Sequence, residues 1–237
     1  MRTPLFFVAT AVAASLLMTS ACLGTDDPSA SPGSKAPSRS DAAEPEKLTG
    51  KELNRLLLPA KSVPKGLKLD PDSVRNTGDT GEAALEKIPA SKLCDRLGST
   101  SWSSVAGVRP AAFAQNYYID AKQHNLFGQE IETYEGSGAQ TTMAGISAAL
   151  AKCASFTSHE DGVTAKVTVT KGKTKSGGLK ATISSPVWEG GATLVALRVD
   201  DAVVTVIYDT DRADRGVRAV ALAEKLAKRV QQARQRS

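Results

Sequence analysis

The chain has 237 residues, a formal net charge of +5 and three cysteines. Apolar residues make up 41% and aromatics 5%. That is too apolar for a wholly disordered chain and too polar for a protein with several membrane spans. The excess of five charges is too small to argue for nucleic acid. An odd cysteine number leaves at least one thiol outside any disulfide.

The first 21 residues read as an address. Arg2 is followed by an apolar run from Leu5 to Met18 and by the small residues Thr19-Ser20-Ala21. This is the pattern of a secretory signal. The run is too short for a membrane span, which needs about 20 residues. Ser20-Ala21-Cys22 resembles the lipobox of bacterial lipoproteins, with Thr19 where an aliphatic residue is usual. The resemblance implies cleavage before Cys22, a diacylglycerol on its thiol and an acylated, palmitate-type amino terminus. The expected location is the extracytoplasmic face of the cell membrane. Two or three acyl chains at about 0.8 kcal/mol per buried methylene anchor a protein stably.

Residues 22–46 comprise the cysteine and a tether rich in Ser, Pro, Ala and Asp, with no large apolar residue after Leu23. Such a stretch cannot bury enough surface to fold. A flexible chain of its length spans roughly 25–30 Å. Residues 47–237 are expected to form one domain.

Thr49 and Glu52 have capping-box spacing ahead of Leu53, Leu56, Leu57 and Leu58. Pro59 and Pro64 stop that helix. Residues 67–90 read as irregular, and Ser91 to Leu97 as one helical turn around Cys94. Ala111–Ile119 and Leu126–Tyr134 read as a hairpin whose loop holds His124. Gly136-Ser137 opens a long helix, with Ser137 and Gln140 as a second capping box. Met143, Ile146, Leu150 and Cys153 share one face of it. Strands are expected at 163–170, 179–188, 193–199 and 203–208, and a final amphipathic helix from about Asp211 to Gln235. The class is α+β: a twisted antiparallel sheet of about five to seven strands, with helices packed on one face.

With Cys22 lipidated, Cys94 and Cys153 remain in an exported domain, where disulfides persist. Cys153 lies on the apolar helix face, so a Cys94–Cys153 bridge is expected. No Cys-x-x-Cys spacing suggests redox catalysis.

Leu48-Thr49-Gly50-Lys51-Glu52-Leu53, Leu56-Leu57-Leu58 and Val63-Pro64-Lys65-Gly66 resemble the opening of a known extracytoplasmic domain. Gln129 to Tyr134, Ala139 and Leu150 to Phe156 resemble its centre. The family is the sensor domain of actinobacterial receptor-type serine/threonine kinases, also found in free-standing lipoproteins. The resemblance implies a twisted antiparallel sheet with helices, shaped around a ligand cleft. Kinase members commonly carry two disulfides; this sequence can form one and shows no kinase motif.

His124 and His159, the two histidines, lack metal-ligand spacing and are expected in exposed loops. No metal or cofactor is expected. Gly145-Ile146-Ser147-Ala148-Ala149 falls one glycine short of a nucleophile elbow, and Ser147 belongs to a helix. Gly136-Ser137-Gly138 lacks the third glycine and the lysine of phosphate loops. Lys171, Lys173, Lys175 and Lys180 surround a hairpin tip without interleaved aromatics. Tyr117, Tyr134, Trp188 and Arg198 are the candidates for a ligand cleft.

The leading expectation is a lipid-anchored, non-enzymatic sensor-like protein that binds an envelope ligand or partner. An envelope protein–protein interaction module is the alternative. A cell-envelope hydrolase ranks last, because no nucleophile–base pair emerges from the motifs. Cys22→Ala is expected to yield a chain without lipid, released from the membrane fraction or unprocessed. Mass spectrometry of its amino-terminal peptide checks this, and a lipidated variant would contradict the lipobox reading.

Overall fold

The computed structural model describes residues 47–79, 88–100, 102–122, 125–160, 163–188, 190–210 and 216–236. The expected signal segment, tether and Cys22, and also His124, lie outside the described residues. The folded unit is an eight-stranded, wholly antiparallel sheet with helices on both faces.

The strands are β1 (Lys68–Asn76), β2 (Ala112–Ile119), β3 (Leu126–Thr133), β4 (Ser155–Glu160), β5 (Val163–Lys173), β6 (Leu179–Ser184), β7 (Gly191–Val199) and β8 (Ala202–Thr210). Their order across the sheet is β1-β2-β3-β8-β7-β6-β5-β4. Two meanders therefore meet where β3 pairs with β8. The helices are α1 (Gly50–Leu56), α2 (Trp102–Ala106), α3 (Gly138–Lys152) and α4 (Val217–Arg234). Helix α3 carries the chain from the centre of the sheet to its far edge.

Strands β7 and β8 explain the two-sided arrangement. Leu194 and Ala196 pack with Val203 and Ile207 in one core, whereas Val195 and Leu197 pack with Val204 and Val206 in the other. A strand apolar on both faces must be covered on both. Helices α1 and α4 cover one face through Leu53, Leu222, Leu226 and Val230. Trp102 of α2 and Ile146 and Leu150 of α3 cover the other. The expectation of helices on a single face is thus corrected: successive apolar residues on β7 and β8 require two layers.

The strand number is also higher than expected. Strand β1 falls in the segment read as irregular. It is an edge strand with Pro71 inside it, and its register with β2 shifts between Asp70 and Arg75. Pro lacks a donor and is tolerated at such edges. Ser73 bridges the break: its Oγ accepts from Tyr117 N at 2.9 Å and donates to Asp70 O at 2.6 Å. Strand β4 is the opposite edge. It holds His159, expected in a loop, as an exposed strand residue with Nδ1 3.0 Å from Thr164 Oγ1.

Of α1, α3 and α4, only α1 starts on a side-chain cap. The Thr49–Glu52 capping box forms, with Thr49 N donating to Glu52 Oε2 at 2.8 Å and Glu52 N to Thr49 Oγ1 at 3.3 Å. The second capping box does not form. Ser137 takes the N-cap position of α3 but makes no side-chain cap bond, and its backbone is not extended as a capping hydroxyl needs. The glycines beside it have separate reasons. Gly136 is left-handed at φ 53°, and a Cβ on Gly138 would stand 2.7 Å from Tyr134 Cβ. Gly145 of the Ser147 segment serves packing too: a Cβ there would lie 2.7 Å from Ala106 Cβ.

Gly128 of β3 faces the α2/α3 side. A Cβ on it would lie 2.5 Å from Tyr117 Cε1 and 2.8 Å from Ile207 Cγ2. Overpacking of this kind costs about 1–3 kcal/mol. Gly128→Ala is accordingly expected to lower unfolding free energy by about that amount, read from the urea midpoint at unchanged m. A neutral substitution would contradict the close Tyr117–Gly128 approach.

Candidate functional site

Side chains alternate across a strand, so β3 sends Gly128, Glu130 and Glu132 to the α2/α3 face and Phe127, Gln129 and Ile131 to the other. Both glutamates are sealed from water, at 2% and 1% exposure. Glutamate is rarely so buried without specific support.

The register builds a polar row around them. Glu130 lies between Gln115 of β2 and Thr205 of β8, both buried. Tyr134, just past β3, donates its hydroxyl to Glu132 Oε2 at 2.7 Å. The Tyr117 ring lies beside Gly128. Its hydroxyl receives Thr100 N at 3.2 Å and sits 3.0 Å from Thr100 Oγ1. Trp102 is buried at 1% exposure. Neither Trp102 Nε1 nor Thr205 Oγ1 has a hydrogen-bond partner among the described residues. The result is a buried acidic and aromatic cluster between the sheet and the α2/α3 layer.

The cover of this cluster is cross-linked. Cys94 stands in a short 3-10 segment, Cys94–Gly98, and is bonded to Cys153 at the end of α3. This is the expected disulfide. Its 59-residue separation stabilises by about 4 kcal/mol in the chain-entropy model. It holds the segment that contributes Leu97, Thr100 and Trp102 against α3.

The opposite face is structural. Gln129, fully buried, accepts Leu58 N at 2.8 Å through Oε1. Its Nε2 donates to Leu58 O and Asn116 Oδ1, each at 2.9 Å. Tyr118 Oη also donates to Leu58 O, at 3.2 Å. These bonds fix the chain leaving α1 onto the sheet.

Three of the four cleft candidates belong to one core, but the register puts Tyr134 at the Ala202 end of the sheet and Trp188 before the Gly191 end, so the structure does not bring Trp188 to the cluster. Tyr134 is part of the α2/α3 core, and Tyr117 and Trp188 pack half-buried against it. Arg198 is exposed near the end of β7, opposite Val203, which is itself opposite Glu132. Alternation puts it on the same sheet face as the cluster, at its margin. Sequence reasoning missed Glu130 and Glu132. A period-two strand reads them as solvent-facing, and their one signal is position: β3 lies beside strands apolar on both faces. Among the described residues no group of three or more His, Cys, Asp and Glu could hold a metal ion.

Burial holds the phenols in their neutral, donating form. It pushes Tyr134 far above the ordinary tyrosine range, and the charge of Glu132 pushes the same way. Burial also raises Tyr117 and Tyr118. The cluster thus sets hydrogen-bond-donating phenols beside the buried glutamate side chains.

No family model matches the chain, and no curated protein matches it. Among solved structures, the extracellular domain of PknH from Mycobacterium tuberculosis is similar at 13% identity and a TM-score of 0.60. The match covers 80% of this chain and 100% of that one. The chain has the fold of that extracellular domain. No described helix is long and apolar enough to cross a membrane.

The tyrosines give a pH dependence. A group with a raised folded pKa contributes stability that is intact below its unfolded pKa and lost as pH rises toward the folded value. Stability is therefore expected to fall above pH ~10, where unfolded tyrosines ionise. Tyr134→Phe should flatten this fall, seen in urea midpoints from about pH 9 to 11. An identical slope in the variant would contradict the burial of Tyr134.

Proposed function

We propose that this chain is a lipid-anchored, extracytoplasmic, sensor-like protein of the bacterial cell envelope. Its folded domain binds a ligand there, and it is not an enzyme. The observation that carries this reading is the fold shared with a receptor kinase's extracellular domain over that domain's whole length. The lipobox-like Ser20-Ala21-Cys22 supports it by supplying a membrane attachment without a spanning helix.

The acidic and aromatic cluster is the binding element in this reading. Glu130 and Glu132 supply carboxyl groups, and Tyr117, Tyr134 and Trp102 supply rings and donors. A small ammonium-bearing molecule matches that chemistry. Entry requires the segment carrying Thr100 and Trp102 to move, so binding and a change in that cover are coupled.

A thermal-shift screen tests this, using small amines, amino sugars and neutral sugars as probes. Stabilisation by an ammonium-bearing probe is expected, with at least a tenfold loss of affinity in Glu132→Gln, the loss of one charge-assisted bond. Retained affinity in Glu132→Gln, or no stabilisation by any amine, would overturn the ligand assignment.

A further inference from the structure

The charge of the chain is concentrated in one layer. Residues 50–65 hold Lys51, Arg55, Lys61 and Lys65 against Glu52, and residues 217–236 hold six further Lys or Arg against Glu224. That is ten cations and two anions, a formal +8, so the remainder of the +5 chain carries −3. The two segments are one surface, because α1 and α4 cover the same sheet face. Lys225 Nζ lies 3.1 Å from Ser62 Oγ. Arg229 Nε donates to Leu56 O at 2.6 Å, and its Nη2 to Arg55 O at 2.9 Å. Some of the charge is engaged: Lys51 pairs with Asp79 and Arg234 with Asp201. Arg55, Lys61, Lys65, Lys225 and Lys228 remain exposed on this layer.

The same layer is where the chain from Cys22 joins the fold, since α1 is the first described element. We infer that the α1/α4 layer is the face on which the domain settles against an anionic bilayer. A tether spanning roughly 25–30 Å lets the domain drift beyond the ~8 Å Debye length of physiological salt. Basic residues near an anionic surface each add about 1 kcal/mol, enough for five to bias the domain toward contact. The exposed face of α4 offers no Trp, Phe or Leu for insertion, so attachment is by charge and weakens with salt. This deepens the membrane assignment proposed above, but its test uses protein without lipid and so stands or falls separately.

The chain from residue 22 onward, with Cys22→Ser, is mixed with phosphatidylcholine vesicles with or without about 30 mol% phosphatidylglycerol and sedimented. Binding to the anionic vesicles is expected, and its loss near 0.5 M salt. The Lys61→Glu/Lys225→Glu/Lys228→Glu variant is expected to bind at least tenfold more weakly. A Lys171→Glu/Lys173→Glu/Lys175→Glu variant makes the same charge change at the β5–β6 turn and should bind nearly as wild type. Near-ultraviolet circular dichroism verifies that both fold. Equal binding to neutral vesicles, equal loss in both variants, or capture by heparin without vesicle binding would overturn the inference.

Discussion

Strands β7 and β8 are buried on both faces, and the rest of the architecture follows from that constraint. Their apolar side chains enter two separate cores, so a single helical layer would leave one core open to water. At about 25 cal/mol per Å², an open core face would forfeit much of the domain's stabilisation. Helices α1 and α4 close one side, and α2 and α3 the other. Strand β3 pairs with β8 and inherits the same two-sided burial, although its sequence alternates with Gln and Glu. The polar side chains of β3 are thereby trapped inside.

The two layers divide the work. On the α1/α4 side, the buried Gln129 is satisfied by the Leu58 backbone and Asn116, and the outer surface collects cations. On the α2/α3 side, Glu130 and Glu132 lie under a layer that joins the long helix α3 to two short elements. Helix α2 has five residues and the 3-10 segment before it five, too few to be stable without tertiary support. The Cys94–Cys153 bond and the close approach of Ala106 to Gly145 supply that support. The buried Leu97 and Trp102 and the Thr100–Tyr117 hydrogen bond hold these elements to the core as well.

Much of this was legible in the sequence. Six strands, the first and last helices, the long central helix and the cysteine pair follow from periodicity, from the Thr49–Glu52 capping box and from Cys94 and Cys153 being the cysteines left in the folded segment. The two edge strands did not, for different reasons. Strand β1 contains Pro71 and two aspartates and is mostly exposed, so it lacks apolar alternation. Strand β4 is short and follows α3 directly after Cys153-Ala154. Of the site, Tyr117 and Tyr134 could be named because large aromatics seek interiors. Glu130 and Glu132 could not. Their burial is decided by what lies opposite them, in β8 and under α3, and no local pattern encodes that.

Hydrogen exchange before and after reduction of the disulfide probes this arrangement directly. In the oxidised protein, the amides of β3, β7 and β8 should be the slowest to exchange, because they lie between two cores. Reduction should speed exchange in residues 88–108 and the last turn of α3, leaving β7, β8 and α4 protected. Fast exchange of β3 in the oxidised protein, or a uniform loss of protection on reduction, would contradict a central sheet closed by two separate layers.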